Sequence, residues 1–161
     1  THAFGLLAGA SLPAEVRLDL LARLAEAAGQ HGMIGGQVAD ISGASFDLPS
    51  LTRLHRLKTG ALLAASAWSG GRVAGANAAQ LAALEAYGAA VGLAFQLADD
   101  ILDADQDAGE AGPPTFVRLL GVEGTRAEAH RQAEIALSAA AALPQPARLE
   151  QLARYIVERE R

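Results

Sequence analysis

Apolar residues recur along the chain at alternating spacings of three and four, the period of a helix with one face turned inward. The opening residues, Thr1-His2-Ala3-Phe4 and onward, read as the end of a helix begun further upstream. Leu12-Pro13-Ala14-Glu15 starts the first full helix, with proline in the first turn and an acid near the positive end of the dipole. Its stripe is Val16, Leu20, Leu24 and Ala27, and Gly29 and Gly32 end it. A short helical segment is expected at residues 35–40, and a loop holding Asp47, Pro49 and Ser50 at residues 43–50. The next helix is expected from about residue 51 to Gly70-Gly71. The longest runs from about residue 74 to residue 103, with Leu81, Leu84, Gly88, Val91, Phe95, Ala98 and Leu102 in its periodic stripe. Residues 105–114 read as a polar loop. Thr115 is placed to cap a brief turn at 116–120, and Thr125-Arg126-Ala127-Glu128 fits a capping box opening a helix that runs to Leu143. Pro144 and Pro146 interrupt it, and a last amphipathic helix carries Leu149, Leu152 and Ile156. The expectation is an all-α helical bundle forming a single segment over residues 1–161.

Composition strengthens this reading. Of 161 residues, 38 are Ala and 24 Leu, against 12 Val and Ile combined, which suits helices and leaves little for strands. Cysteine is absent, so disulfides, thiolate metal sites and cysteine nucleophiles are excluded. A formal net charge of −5 argues against nucleic acid as a partner. No uncharged apolar run reaches the ~18 residues of a membrane span, so none is expected. The start lacks the basic stretch and apolar core of a secretion signal, which makes cytoplasmic location the expectation. A threonine start and a single methionine suggest a piece of a longer protein.

Three places carry candidate chemistry. Five of the eight aspartates fall between positions 99 and 107. Asp99 and Asp103 lie one turn apart, where like charges repel and oppose the helix dipole. A hard divalent cation such as Mg²⁺ relieves that repulsion, and the plain alternative is a solvated acidic helix end. Gln96 adds an amide one turn deeper. On a regular wheel Lys58 shares a stripe with Leu51, Leu54, Leu62 and Ala65, so its charge must be paired or must snorkel to water. Thr59 adds a hydroxyl, and together with a carboxylate-bound cation Lys58 makes a diphosphate grip. Lys58 is also the only lysine beside twelve arginines. Third, Gly35-Gly36-Gln37 with Asp40 puts two polar groups on one side of a glycine-weakened helix, which a buried polar pair closing a kink explains equally well. Trp68 and Phe95 read as core. The four histidines show no ligand spacing, and Glu-x-x-His is absent.

Gly35-Gly36-Gln37-x-x-Asp40, His55-x-x-Lys58-Thr59-Gly60-Ala61-Leu62, residues 92–103 and Thr115-Phe116-x-x-Leu119-Leu120-Gly121 occur in this order. In that order the chain resembles the C-terminal half of a trans-prenyl diphosphate synthase of the bacterial farnesyl/geranylgeranyl type. The resemblance implies the isoprenoid-synthase bundle and Mg²⁺-dependent head-to-tail joining of isopentenyl diphosphate to an allylic diphosphate, giving a product such as farnesyl diphosphate. It implies metal ligation by Asp99, Asp100 and Asp103, catalysis involving Lys58 and Asp99, and substrate contacts from Gln37, Asp40, Lys58, Thr59, Phe95 and Gln96. It also implies a homodimer or pairing with the missing first half. The family places one or two lysines after the aspartate motif, and residues 104–114 hold none. The alternative reading is a non-catalytic or truncated helical homologue serving as an interaction subunit of a prenyl synthase. A terpene cyclase of the same fold suits Lys58-Thr59 less well.

Overall fold

The computed structural model describes residues 1–42, 47–104 and 115–159, and every regular element in them is helical. In chain order these are α1 (His2–Gly9), α2 (Ala14–Ala28), α3 (Met33–Ile41), α4 (Leu48–His55), a π-helical turn (Arg56–Gly60), α5 (Ala61–Val73), α6 (Ala78–Asp103), α7 (Phe116–Ala140) and α8 (Ala147–Glu158). The loop expected at 105–114 lies outside the described residues, as do residues 43–46 of the loop expected at 43–50.

Local chemistry explains where the ends differ from the periodic reading. Helix α4 begins inside the expected loop because Asp47 and Ser50 cap it reciprocally: the Ser50 N–H donates to Asp47 Oδ1 at 2.9 Å and the Asp47 N–H to Ser50 Oγ at 3.0 Å. Those hydrogen bonds also hold the Asp47 carboxyl below its ordinary pKa. The start of α6 is delayed to Ala78 because Gly75 takes a left-handed φ of 79° and Asn77 forms the same kind of box with Gln80. Thr115 caps α7 as expected, accepting from the Arg118 N–H at 3.2 Å. The break expected between the turn at 116–120 and the following helix falls at Gly121, where φ is 71° and ψ 166°, so that helix begins before Thr125. Thr125 opens no helix: it is fully buried and donates to the Gly121 carbonyl at 2.8 Å. Glu128, expected to close that box, instead accepts from Arg131 and Gln132. This helix ends at Ala140, three residues before the expected Leu143.

The largest correction concerns the expected helix from residue 51 to 70. A π turn holds one extra residue in the backbone loop, so it rephases whatever follows. Leu51 and Leu54 are buried before it, Gly60 at its end, and Ala64 and Ala65 after it. Leu62 is left only half-buried, and Lys58 sits at the pivot instead of in the middle of an apolar face.

Helix α6 is the axis of the bundle. Tyr87, Ala90, Val91 and Ala94 meet Ala136 and Ala140 of α7 and Ala153 and Ile156 of α8, while Leu93 and Leu97 meet Leu51, Phe116 and Ala129. Alanine dominates this core, so the helices lie close together. Burial pushes the Tyr87 phenol up to about 12, and its hydroxyl donates to the Leu149 carbonyl at 2.8 Å. Among the described residues α6 alone is long and apolar enough to cross a membrane. Its most apolar stretch is 56% buried by its neighbours, as befits a central bundle helix.

Candidate diphosphate and metal site

Glycine brings the candidate residues together. A Cβ at Gly36 would stand 2.5 Å from the Lys58 backbone nitrogen, and one at Gly92 would stand 2.6 Å from the Gly60 Cα. Only hydrogen at these positions lets α3 and α6 press against the π turn from two sides. One turn beyond each glycine a polar contact forms. The Lys58 Nζ donates to Asp40 Oδ2 at 2.7 Å, four residues past Gly36. The Thr59 hydroxyl donates to Gln96 Oε1 at 2.6 Å, four residues past Gly92. Lys58 therefore neither snorkels nor stands alone: with about a third of each side chain exposed, ammonium and carboxylate share a partly wet pair.

Gln96 lies one turn before the acidic end of α6. The Asp100 Oδ2 accepts from the Phe116 N–H at 2.6 Å, so this carboxylate anchors the start of α7. Asp99 pairs with Arg159, the residue that follows α8, and the Arg159 guanidinium also stacks 4.5 Å from the centre of the Phe95 ring. Burial raises the Asp99 carboxyl above the ordinary aspartate value; Arg159 pulls it down and Asp103 pushes it up again. Asp103 is exposed. Among the described residues no three His, Asp or Glu are gathered in a group able to hold a metal ion. The three aspartates expected to share one cation thus occupy one helix end but answer to different partners. Asp105 and Asp107 lie outside the described residues.

Gln37 lies on α3 one turn before Asp40 and is exposed, outside the Lys58–Asp40 pair. Phe95 is half-buried under Arg159 instead of belonging wholly to the core. Arg159 was not among the residues expected from the sequence, and His55 entered only within the ordered motif, without a role. Arg159 lies sixty residues from Asp99, beyond any helical period. His55, one turn before Lys58, stacks on Phe116 at 5.3 Å between ring centres. Burial, helped by Lys58, pushes its imidazole down to about 4, and its Nδ1 is buried without a hydrogen-bond partner.

A family model described as polyprenyl synthetase matches residues 1–116, well over half of the chain. The chain belongs to the polyprenyl synthetase family. The farnesyl diphosphate synthase of Geobacillus stearothermophilus is 38% identical over 141 residues, covering 78% of this chain and 48% of that protein. The apo structure of an FPP/GFPP synthase from Zymomonas mobilis superposes with a TM-score of 0.86 at 38% identity, covering 96% of this chain and 56% of that one. A geranyltransferase of Helicobacter pylori, complexed with magnesium and isoprenyl diphosphate, matches with a TM-score of 0.80 at 32% identity over 97% of this chain and 55% of its own. The all-α isoprenoid-synthase fold is thereby established for this chain. The chain spans about half the length of the polyprenyl synthetase relatives it matches.

Proposed function

We propose that this chain forms the diphosphate-holding portion of a prenyltransferase site that joins isopentenyl diphosphate to an allylic diphosphate. The observation that carries the reading is the polar cluster at the π turn, Lys58 on Asp40 and Thr59 on Gln96, with Gln96 one helical turn before the carboxylates that close α6. In the reaction the allylic carbon–oxygen bond breaks, its electron pair leaving with the diphosphate. The isopentenyl double bond forms the new carbon–carbon bond, and a proton is lost. Farnesyl diphosphate is the product suggested by the relatives' names.

The α6 terminus fits a magnesium ion by its donor chemistry. Its oxygens are all carboxylate, and Mg²⁺ is typically held by one or two carboxylates with water and substrate phosphate completing the shell. That requirement is met without a three-carboxylate cage. Asp99 and Asp103 are the residues that would hold the ion, with Asp100 steadying the adjoining backbone through Phe116. The raised Asp99 carboxyl, partly repelled by Asp103, is a group that a nearby cation would favour. Bound there, Mg²⁺ would supply Lewis-acid neutralisation of the diphosphate.

Lys58 offers a point charge to the departing diphosphate oxygen, and Asp40 holds that ammonium in place until substrate arrives. Thr59 and Gln96 fix each other and so present a preset polar pair beside it. The Phe95 ring gives the site an apolar wall. In this reading the isopentenyl half of the site comes from helices beyond this chain.

The test is calorimetric binding of geranyl diphosphate with Mg²⁺ to the full chain. Lys58→Ala and Asp99→Ala should each weaken binding about tenfold or more with helicity unchanged. Wild-type affinity in both variants would overturn the proposal. One observation favours a second reading as a helical interaction subunit: Ile34, Val38 and Ile41 expose an apolar stripe on α3. That reading expects no magnesium-dependent diphosphate binding.

A further inference from the structure

We propose that Arg159 is an internal counter-ion of the acidic end of α6, seated on Asp99 where a divalent cation would sit and displaced when the cation binds. The inference rests on the reading of Asp99 as a cation ligand. Its partner and its place in the chain set this pair apart: it holds a candidate cation ligand, and it lies just past the end of α8. The Arg159 side chain is only 16% exposed, and its Nε is buried with no hydrogen-bond partner among the described residues. A buried N–H without an acceptor costs free energy, and the Arg23 Nε of the Arg23–Glu85 pair carries the same cost. Arg159 is therefore held by one arm on Asp99 and by its face on Phe95, with another donor unmet.

The backbone lets it leave. Helix α8 ends at Glu158, and Arg159 is already extended, with φ −64° and ψ 136°. Its own N–H bonds the Tyr155 carbonyl at 3.0 Å, so the side chain can swing without unwinding α8. There is space to swing into: a cavity of about 430 Å³ opens beside it, lined among others by Ala98, Leu102, Arg126 and Val157.

Electrostatics then imposes a competition. The guanidinium and a divalent cation both seek the Asp99 oxygens, so occupancy by one lowers affinity for the other, and the coupling is reciprocal. A chain without a cation keeps the half-buried Asp99 carboxylate neutralised. A loaded chain frees a guanidinium at the mouth of the site, beside the Phe95 wall. The C-terminal end of α8 is thereby coupled to the metal state of α6.

The experiment is Mn²⁺ binding to the full chain, followed by electron paramagnetic resonance, with no substrate present. Arg159→Gln should bind Mn²⁺ roughly twofold to fivefold more tightly than wild type, the worth of one partly exposed ion pair. Adding Asp99→Asn should abolish that gain. Equal or weaker binding by Arg159→Gln, or no detectable binding by either chain, overturns the proposal. If Asp99→Asn alone binds as wild type does, the reading of Asp99 as a ligand fails and takes the counter-ion role with it. If Asp99→Asn loses affinity while Arg159→Gln changes nothing, only the counter-ion role fails. Should Arg159→Gln lose its helical circular dichroism, Arg159→Lys replaces it: a lysine lacks the planar stack, and an intermediate gain supports the proposal where no gain refutes it.

Discussion

Burial and the neighbouring Lys58 ammonium push His55 from its ordinary 6.5 down to about 4, so the native chain holds this imidazole neutral. The unfolded chain protonates it between those two values and the native chain does not. The stabilisation this provides is therefore complete above about pH 6.5 and lost as pH falls towards 4. The size is bounded at about 3 kcal/mol by the shift itself and is smaller in practice, because the ring is only partly buried. Other carboxylates titrate in the same range, so the diagnostic is a difference between variants. His55→Phe keeps the stack on Phe116, 5.3 Å away, and removes a buried nitrogen that bonds nothing. Urea unfolding of this variant should lose about 1–3 kcal/mol less than wild type between pH 6.5 and 4. Parallel curves for the two proteins would show that the ring is not shielded as the structure places it.

Helix spacing in this bundle is set where glycines face backbone. A Cβ at Gly92 would meet the Gly60 Cα at 2.6 Å, and one at Gly88 the Ala64 Cα at 2.4 Å, so α6 rests directly on the π turn and α5. Replacing Gly92 with Ala gains about 1 kcal/mol of helix propensity and must push these backbones apart, an overpacking cost of about 1–3 kcal/mol or more. Gly70 in α5 has nothing within 4 Å of a built Cβ. Gly92→Ala should therefore lower the unfolding free energy and weaken the Thr59–Gln96 contact, whereas Gly70→Ala should raise it by about 0.5–1 kcal/mol. Urea midpoints decide: a Gly92→Ala chain as stable as Gly70→Ala would mean that α6 does not rest on the π turn. The same contacts mark how much was legible beforehand. Val16, Leu20 and Ala27 were readable as a buried stripe because burial of one face leaves a period in the sequence. Lys58, Thr59, Gln96 and the aspartates were readable as candidates because polar groups interrupt apolar runs there. What stayed hidden has no local period. The π turn at Arg56–Gly60 is imposed by packing between Gly36 and Gly92, and no residue type within it announces it. Pairings such as Asp40 with Lys58 or Asp99 with Arg159 depend on how separate helices cross. The capping pattern at Thr125 put the start of the second helix too late, because the left-handed Gly121 already restarts the helix just after the turn at 116–120.

At the scale of the whole molecule, the α6 axis is covered by α5, α7 and α8, while α3 turns apolar side chains outward. Ile34, Val38 and Ile41 are 52%, 58% and 72% exposed at spacings of four and three, a continuous stripe along one face of α3. Such a stripe on a chain spanning about half the length of its relatives is a surface that association would cover. Apolar side chains are also exposed elsewhere, Leu6 on α1, Leu18 on α2 and Tyr155 on α8 among them, but α3 presents three in one stripe, and the net charge of −5 keeps copies apart at long range. Contact between copies should then run through α3. Sedimentation velocity of the wild-type chain at tens of micromolar should show species larger than a monomer. Val38→Lys combined with Ile41→Lys should shift the distribution towards monomer. Both positions are solvent-facing and lysine is a good helix former, so the stability cost should stay within about 0.5 kcal/mol per site and the helical circular dichroism should persist. Raising the salt concentration should strengthen wild-type association, because it screens the net charge and leaves the apolar contact intact. A wild-type chain that sediments as a monomer throughout, or a double variant that associates as strongly as wild type, would place the sticky surface elsewhere. The distinction matters for the site, because Gly36 and Asp40 lie on the same short helix as Val38 and reach Lys58 from its other side. Whatever settles on α3 therefore acts within one helix diameter of the lysine that is proposed to hold the diphosphate.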